Sequence, residues 1–366
     1  MQMNGSDKMK KVMVGMSGGV DSSVAALLLR EQNYDVMGVT LKMFSDEDIV
    51  QAEKEGKTCC ALSDVEDARS VAYKLGFDHL VFNFKDHFRE HVMKQFADCY
   101  LEGKTPNPCI ECNRHVKFDK MLRRAQELGY DYIATGHYAV NEYDEKTGRY
   151  LLKRPADKSK DQTYVLYSLT QHQLAHTLFP LGRLEKSHVR EIAENAGLVN
   201  SSKPDSQDIC FVPDGKYTEF IRKFTGCSIP DGNFVDMEGN ILGTHKGIIN
   251  YTVGQRKGLG ISLGKPAYVV KKDAVKNTVT LGDEEDLYTL SLTAENVNLI
   301  SVDKIEHPMR ITAKTRYSQT EQPATLSYID NDEYLVEFDN PQRAVTSGQA
   351  VVFYDGDIVV GGGTIK

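Results

Sequence analysis

Over the first two hundred positions the apolar residues fall into short unbroken runs, each followed by a stretch with helical spacing. Val12-Met13-Val14 precedes the periodic segment Val24 to Leu29, and Val36 to Leu41 is a second run. Val65, Ala68, Ala72 and Leu75 share one helical face, with Ser63 and Glu66 spaced as a capping box. His79 to Phe84 reads as a third strand, His87 to Leu101 and Phe118 to Leu128 as helices, and Tyr132 to Thr135 as a fourth strand. Unbroken runs suit strands covered on both faces, and their alternation with helices predicts an α/β fold built on a parallel sheet. In such a sheet function lies at the carboxyl ends of the strands. Tyr138 to Arg154 reads as a hairpin, and Gln162 to Leu178 and Lys186 to Ala196 as two helices, the second closed by Gly197.

From Asp231 the pattern changes to short alternating segments with turn dipeptides at Asp231-Gly232, Glu238-Gly239 and Asp355-Gly356, with scarcely a helix. This predicts a small central module to about Gly264 and then an all-β barrel or sandwich. The expected domains are 1–205, 206–268 and 269–366. No repeat or low-complexity segment interrupts them.

A hydrophobic content of 40% and a charged content of 26% describe an ordinary globular chain. No apolar run is long enough to cross a membrane and the first eleven residues lack an apolar core, so a cytoplasmic protein without a membrane partner is expected. Seven cysteines, an odd number, suit thiol or metal chemistry better than a disulfide framework. The net charge of −8 excludes a uniformly basic nucleic-acid binder and leaves room for local patches. One candidate is Arg114, His115, Lys117, Lys120, Arg123 and Arg124, either a solvated helix face or a surface following a phosphate backbone. His87, His91 and His172 carry no functional signal.

Ser17-Gly18-Gly19-Val20-Asp21-Ser22-Ser23 joins the first strand to the first helix. Strand, glycines and hydroxyls, then a helix start is the arrangement that aims N–H groups and a helix dipole at a phosphate. A Walker loop would need a lysine that this stretch lacks, and the glycines do not have the dinucleotide spacing. Ser-Gly-Gly-x-Asp-Ser instead resembles the loop of the ATP pyrophosphatases, which cleave ATP between its α and β phosphates. Asp21 alone could be a helix cap; with the whole motif it points to phosphate or magnesium.

Sulfur supplies the second signal. In Thr105-Pro106-Asn107-Pro108-Cys109-Ile110-Glu111-Cys112-Asn113, two prolines stiffen the backbone before a Cys-x-x-Cys, which the spacing puts on a loop facing a helix start. A helix amino terminus favours thiolate, the state needed for nucleophilic attack or for metal ligation. Cys210 stands between Ile209 and Phe211, the surroundings of a core residue. Cys59-Cys60 could join a metal site, and Cys99 and Cys227 read as structural.

Gly-Met-Ser-Gly-Gly-Val-Asp-Ser-Ser, Thr-Pro-Asn-Pro-x-x-x-Cys-Asn, Ala-Thr-Gly-His-Tyr, Lys-Asp-Gln-Thr-Tyr, Asp-Ser-Gln-Asp-Ile-Cys-Phe and Gly-Gln-Arg-Lys-Gly-Leu-Gly occur in that order. Together they resemble the tRNA-specific 2-thiouridylase family, over nearly the whole chain. The resemblance implies an ATP pyrophosphatase domain, a central tRNA-binding domain and a C-terminal β-barrel. It implies adenylation of the wobble uridine of glutamate, glutamine or lysine tRNA and then sulfur transfer, with ATP and magnesium. Cys210 would carry a persulfide, and Cys112 would free its terminal sulfur and close a disulfide with Cys210. Gly15, Met16, Ser17, Gly18, Gly19, Val20, Asp21, Ser22, Leu41 and Gly136 would bind ATP. Asn107 would face the target base, while His137, Lys160, Asp161, Gln162, Arg316, Tyr317 and Gln349 would contact the tRNA anticodon arm. A cysteine desulfurase or sulfur-relay protein is the implied donor.

One position departs from the family. Many members carry aspartate where this chain has Cys109, so Cys109, Cys112 and Cys210 form a possible ligand set for a 4Fe-4S cluster, with zinc as the competing metal and the persulfide role favoured. Two other readings remain. A ligase of the same ATP class would keep the Ser17–Ser23 loop and dispense with Cys112 and Cys210; a non-catalytic tRNA-binding or metal-storage protein would consume no ATP.

Overall fold

The computed structural model describes residues 9–44, 62–205, 209–212 and 215–366, and it divides into two compact units. Cys59, Cys60 and the Ser206-Gln207-Asp208 part of the Cys210 motif lie outside the described residues.

The first unit takes in 1–89 and 111–213. Its parallel sheet runs β3 (His79–Asn83), β2 (Asp35–Lys42), β1 (Lys11–Gly15), β4 (Tyr132–Ala134), β7 (Thr177–Leu178). Met13 pairs with Met37 on one side and Ile133 on the other, so β1 is central. Val12, Met13 and Val14 have no exposed surface, because helices cover both faces. Val24, Ala25 and Leu29 of α1 (Val20–Glu31) meet Val189 and Ala193 of the helix Lys186–Asn195 in the same core. The order reverses between β1 and β4, the switch point at which a doubly wound sheet opens a crevice.

Three local readings are corrected. The helix α2 (Leu62–Leu75) already includes Ser63, so no capping box starts there. The span 162–178 is a 3-10 turn at Thr163–Val165, a short helix at Gln171–Ala175 and β7, not one helix. Asp161 accepts from the Thr163 N–H and hydroxyl, and Thr170 with Gln173 forms a complete capping box that starts the chain afresh. The chain is helical from Pro108, ten residues before the expected start, and over Cys112–Lys120 it takes the wider π form. The hairpin is present as β5 (Val140–Asp144) and β6 (Arg149–Lys153).

The second unit takes in 90–110 and 214–366. One four-stranded sheet has the order β10 (Tyr268–Asp273), β11 (Thr278–Gly282), β8 (Gly232–Val235), β9 (Ile241–His245). A helix the sequence pattern did not single out, Tyr217–Thr225, ends at Gly226 with φ 64 and stacks Tyr217 on Tyr100 at 4.7 Å. Six further strands close a barrel: β12 (Tyr288–Leu299), β15 (Tyr334–Arg343), β14 (Gln322–Tyr328), β13 (Met309–Lys314), β16 (Ala350–Asp355) and β17 (Ile358–Ile365), which pairs back with β12. Closure leaves no edge, and Ala294, Val336, Phe353 and Val360 fill the interior. Among the described residues no helix is long and apolar enough to cross a membrane.

Candidate active site

β1 delivers the chain to the phosphate-type loop at the carboxyl edge of the sheet. Gly18 is turned to φ 72, and Gly19 caps α1 without a side-chain hydrogen bond. The first N–H groups of α1 are therefore not covered by a capping side chain, as an anion site requires. Ser22 and Ser23 both donate to Gly19 O at 3.1 Å, and Thr40 donates to Met16 O at 2.9 Å, which fixes the loop to β2. Gly136, just past β4, abuts the same turn: a Cβ there would lie 2.7 Å from Ser22 N and 2.8 Å from Asp21 C.

Asp21 is not a helix cap. Its two oxygens accept from Lys186 Nζ at 2.7 and 2.9 Å, and Oδ1 also accepts from the Tyr138 hydroxyl at 2.8 Å. Burial, then the neighbouring Asp21, drives the Tyr138 phenol far above its ordinary value, so it stays a donor. Lys186 Nζ also meets Asp205 at 2.8 Å, and Lys160 and Arg190 meet the same carboxylate at 2.9 and 3.2 Å. Burial alone would raise Asp205; the hydrogen bonds from Lys186 and Lys160 outweigh it and hold the group down at about 2. On the other flank Lys203 Nζ lies 3.3 Å from Gly18 O and pairs with Asp64 and with Asp67 at 2.7 Å, while Asn200 Nδ2 donates to Gly18 O at 3.0 Å. Sequence reasoning missed Lys186, Lys203 and Asn200. They stand 165 to 185 positions from their loop partners and belong to no motif.

The sulfur residues lie at the same edge. Cys112 is buried and donates to Met43 Sδ, just past β2, at 3.7 Å. Phe211, next to Cys210, packs edge-on against Phe88 at 5.6 Å, and Phe88 meets Phe44 at 6.1 Å. Cys112 thus touches the end of β2, and the Cys210 segment is linked to it through Phe88. Pro108 occupies the first helical position, where its missing N–H costs nothing, so Cys109 and Cys112 lie in the helix and not on a loop before it. Asn107 caps that helix, its Oδ1 accepting from Cys109 N at 3.1 Å.

A model of the tRNA methyl transferase HUP domain family matches residues 10–214, one of its PRC-barrel domain 218–283, and one of an aminomethyltransferase β-barrel domain 289–365. The tRNA-specific 2-thiouridylase MnmA of Clostridioides difficile is 56% identical over 98% of both chains. That of Acetivibrio thermocellus is 58% identical over 98% of this chain and 99% of its own. The chain belongs to the tRNA-specific 2-thiouridylase family. Among solved structures, a 4-thiouridine synthetase–RNA complex with bound ATP covers 59% of this chain and 50% of its own at 18% identity, with a TM-score of 0.37.

Several residues that the thiouridylase resemblance nominates already have partners within the fold. Gln162 Oε1 accepts from Tyr138 N at 2.8 Å, and Lys160 holds Asp205. His137 accepts from or donates to Thr135 Oγ1 at 2.7 Å; burial, then nearby Lys117, keeps its imidazole neutral well below the ordinary range. Leu41 is buried in β2. Tyr317 is exposed, whereas Arg316 is spent on Ala344 O at 2.8 Å and Thr346 Oγ1 at 3.1 Å. The three arginines of the basic helix face are paired within it: Arg114 with Glu111, Arg123 with Asp119 and Arg124 with Glu127. Cys99 is half-buried, but Cys227 is exposed and so not a packing residue.

Among the described residues no group of three or more His, Cys, Asp or Glu side chains is arranged to hold a metal ion. Cys109 belongs to the second unit, Cys112 and Cys210 to the first.

Proposed function

We propose that the chain is a tRNA-uridine 2-sulfurtransferase, acting in the cytoplasm on the wobble uridine of glutamate, glutamine and lysine tRNAs. One observation carries this reading: a phosphate cradle at the end of β1 and two cysteine segments at the end of β2 share one edge of one sheet. Adenylation and sulfur delivery need that neighbourhood. The matching family model carries the words methyl transferase, but methyl transfer makes no use of a polyphosphate cradle beside two thiols.

The uridine, extruded from its loop, presents its C2 oxygen to the α-phosphorus of ATP. A P–O bond forms, pyrophosphate leaves, and AMP becomes the leaving group on C2. The α1 N–H groups, Lys186 and Lys203 would share the charge that builds on the phosphates. Cys210 carries a persulfide supplied by a cysteine desulfurase, directly or through a relay. The Cys112 thiolate attacks the Cys210 sulfur, the persulfide S–S bond breaks, and hydrosulfide departs and displaces AMP at C2. The products are 2-thiouridine, AMP, pyrophosphate and a Cys112–Cys210 disulfide, which a thiol reductant reopens.

The test separates the two steps. With unmodified glutamate tRNA, Cys210→Ala should still release pyrophosphate in a tRNA-dependent first turnover, leaving AMP on the uridine, while forming no 2-thiouridine. Thiolation at the wild-type rate by this variant would refute the persulfide role, and pyrophosphate release indifferent to tRNA would refute adenylation of the uridine.

A further inference from the structure

Arg316 and Gln349, two of the barrel residues nominated for tRNA contact by resemblance, belong to one hydrogen-bonded series within the second unit that ends at Thr105, three residues before the helix that carries Cys109. Arg316 donates to Ala344 O and to Thr346 Oγ1, and Ala344 is held at φ 54, a left-handed conformation alanine rarely adopts. Gln349 N donates to Thr346 O at 3.2 Å, and the turn is rooted in β17 by Gly348 N to Ile365 O and Ile365 N to Gln349 O, both 2.8 Å. The turn then grips Thr105 by both backbone groups: Thr105 N donates to Ser347 O at 2.9 Å, and Gln349 Nε2 donates to Thr105 O at 2.9 Å. Gly348 permits the approach, since a Cβ there would lie 2.8 Å from Lys104 Cβ and 3.0 Å from Thr105 N, and its φ is 85. Two residues on, Asn107 caps the helix that begins at Pro108 and carries Cys109 and Cys112.

We infer that Gln349 is a positioning residue for sulfur transfer: through Thr105 it fixes the Asn107–Cys109 turn, with Arg316 bracing the strained Ala344 turn behind it. Both prolines of Thr105-Pro106-Asn107-Pro108 lack an N–H, so Thr105 is the one residue of the four before Asn107 with a full set of backbone groups by which the loop can be held. A barrel that holds this residue sets where the cap and the first turn of the helix lie. The inference rests on the reading of Asn107 and Cys112 as site residues.

Gln349→Ala removes the side chain, and Gln349→Glu keeps its size while removing the donor. Hydrogen–deuterium exchange on the full-length protein should quicken at the 104–110 amides by about three- to tenfold in both variants, the range one hydrogen bond carries. The single-turnover rate of thiolation, measured at saturating glutamate tRNA, should fall by a similar factor. Unchanged exchange, together with weaker tRNA binding and an unchanged single-turnover rate, would overturn the inference and make Gln349 an RNA contact. If the wild-type protein thiolates no tRNA, the functional reading fails, and the exchange experiment still decides whether Gln349 holds the loop.

Discussion

A methyl group on Gly136 would have nowhere to go: the atoms it meets, Ser22 N and the Asp21 carbonyl carbon, are backbone of the phosphate turn and cannot rotate away. Gly136→Ala should therefore push β4 and the start of α1 apart and lower tRNA-dependent ATP turnover by about 100-fold, the cost of an ångström-scale misplacement. Near-normal AMP release, measured in the first turnover, would show that the contact is not needed. The glycine was legible as part of Ala-Thr-Gly-His-Tyr, but the reason for it was not, because nothing local in the sequence says that residue 136 touches residue 21. The same holds for Asp21. Its motif marked it for phosphate or magnesium, while Lys186, which takes both its oxygens, could not be seen across 165 positions.

At the level of elements, the buried runs were the most readable feature. Val12-Met13-Val14 and Val36 to Leu41 are strands because an unbroken apolar run can be satisfied only between two helical layers. Helix limits were less readable, since Asn107-Pro108 starts a helix by side-chain capping while Asp161 and Thr170 divide one by the same means. β10 contains a residue that its element tolerates at a cost. Lys272 Nζ makes no hydrogen bond and lies 5.9 Å from the Tyr100 ring, and burial pushes its amine down to about 8. The penalty for charging it is complete below that value and gone above its unfolded value of 10.5. Wild-type stability should thus rise with pH across this window. Lys272→Met should be more stable at pH 7 by about 1–3 kcal/mol, and its advantage should shrink between pH 8 and 10.5, as read from urea melts. An advantage constant in pH would assign the effect to packing.

For the molecule as a whole, the change from strand–helix alternation to short strands and turn dipeptides corresponds to two architectures, a parallel sheet and a closed six-stranded barrel. The sequence did not show that residues 90–110 leave the sheet unit and belong with the later strands. That excursion rests on packing between residues far apart in the chain, such as Tyr100 on Tyr217 and Thr105 on Ser347. It also puts the Asn107–Cys109 turn in the unit that contains the barrel, two residues before the chain re-enters the unit with the phosphate cradle.

Formation of 2-thiouridine in vitro is the decisive experiment. Unmodified glutamate tRNA would be incubated anaerobically with this protein, ATP, magnesium, a cysteine desulfurase, cysteine and a thiol reductant, then digested to nucleosides for mass spectrometry. The wobble uridine should show a sulfur-for-oxygen mass gain that requires ATP and is lost in Cys112→Ser and Cys210→Ala. AMP and pyrophosphate accumulating with no thiolated uridine would contradict the sulfurtransferase reading and favour a ligase that adenylates another substrate.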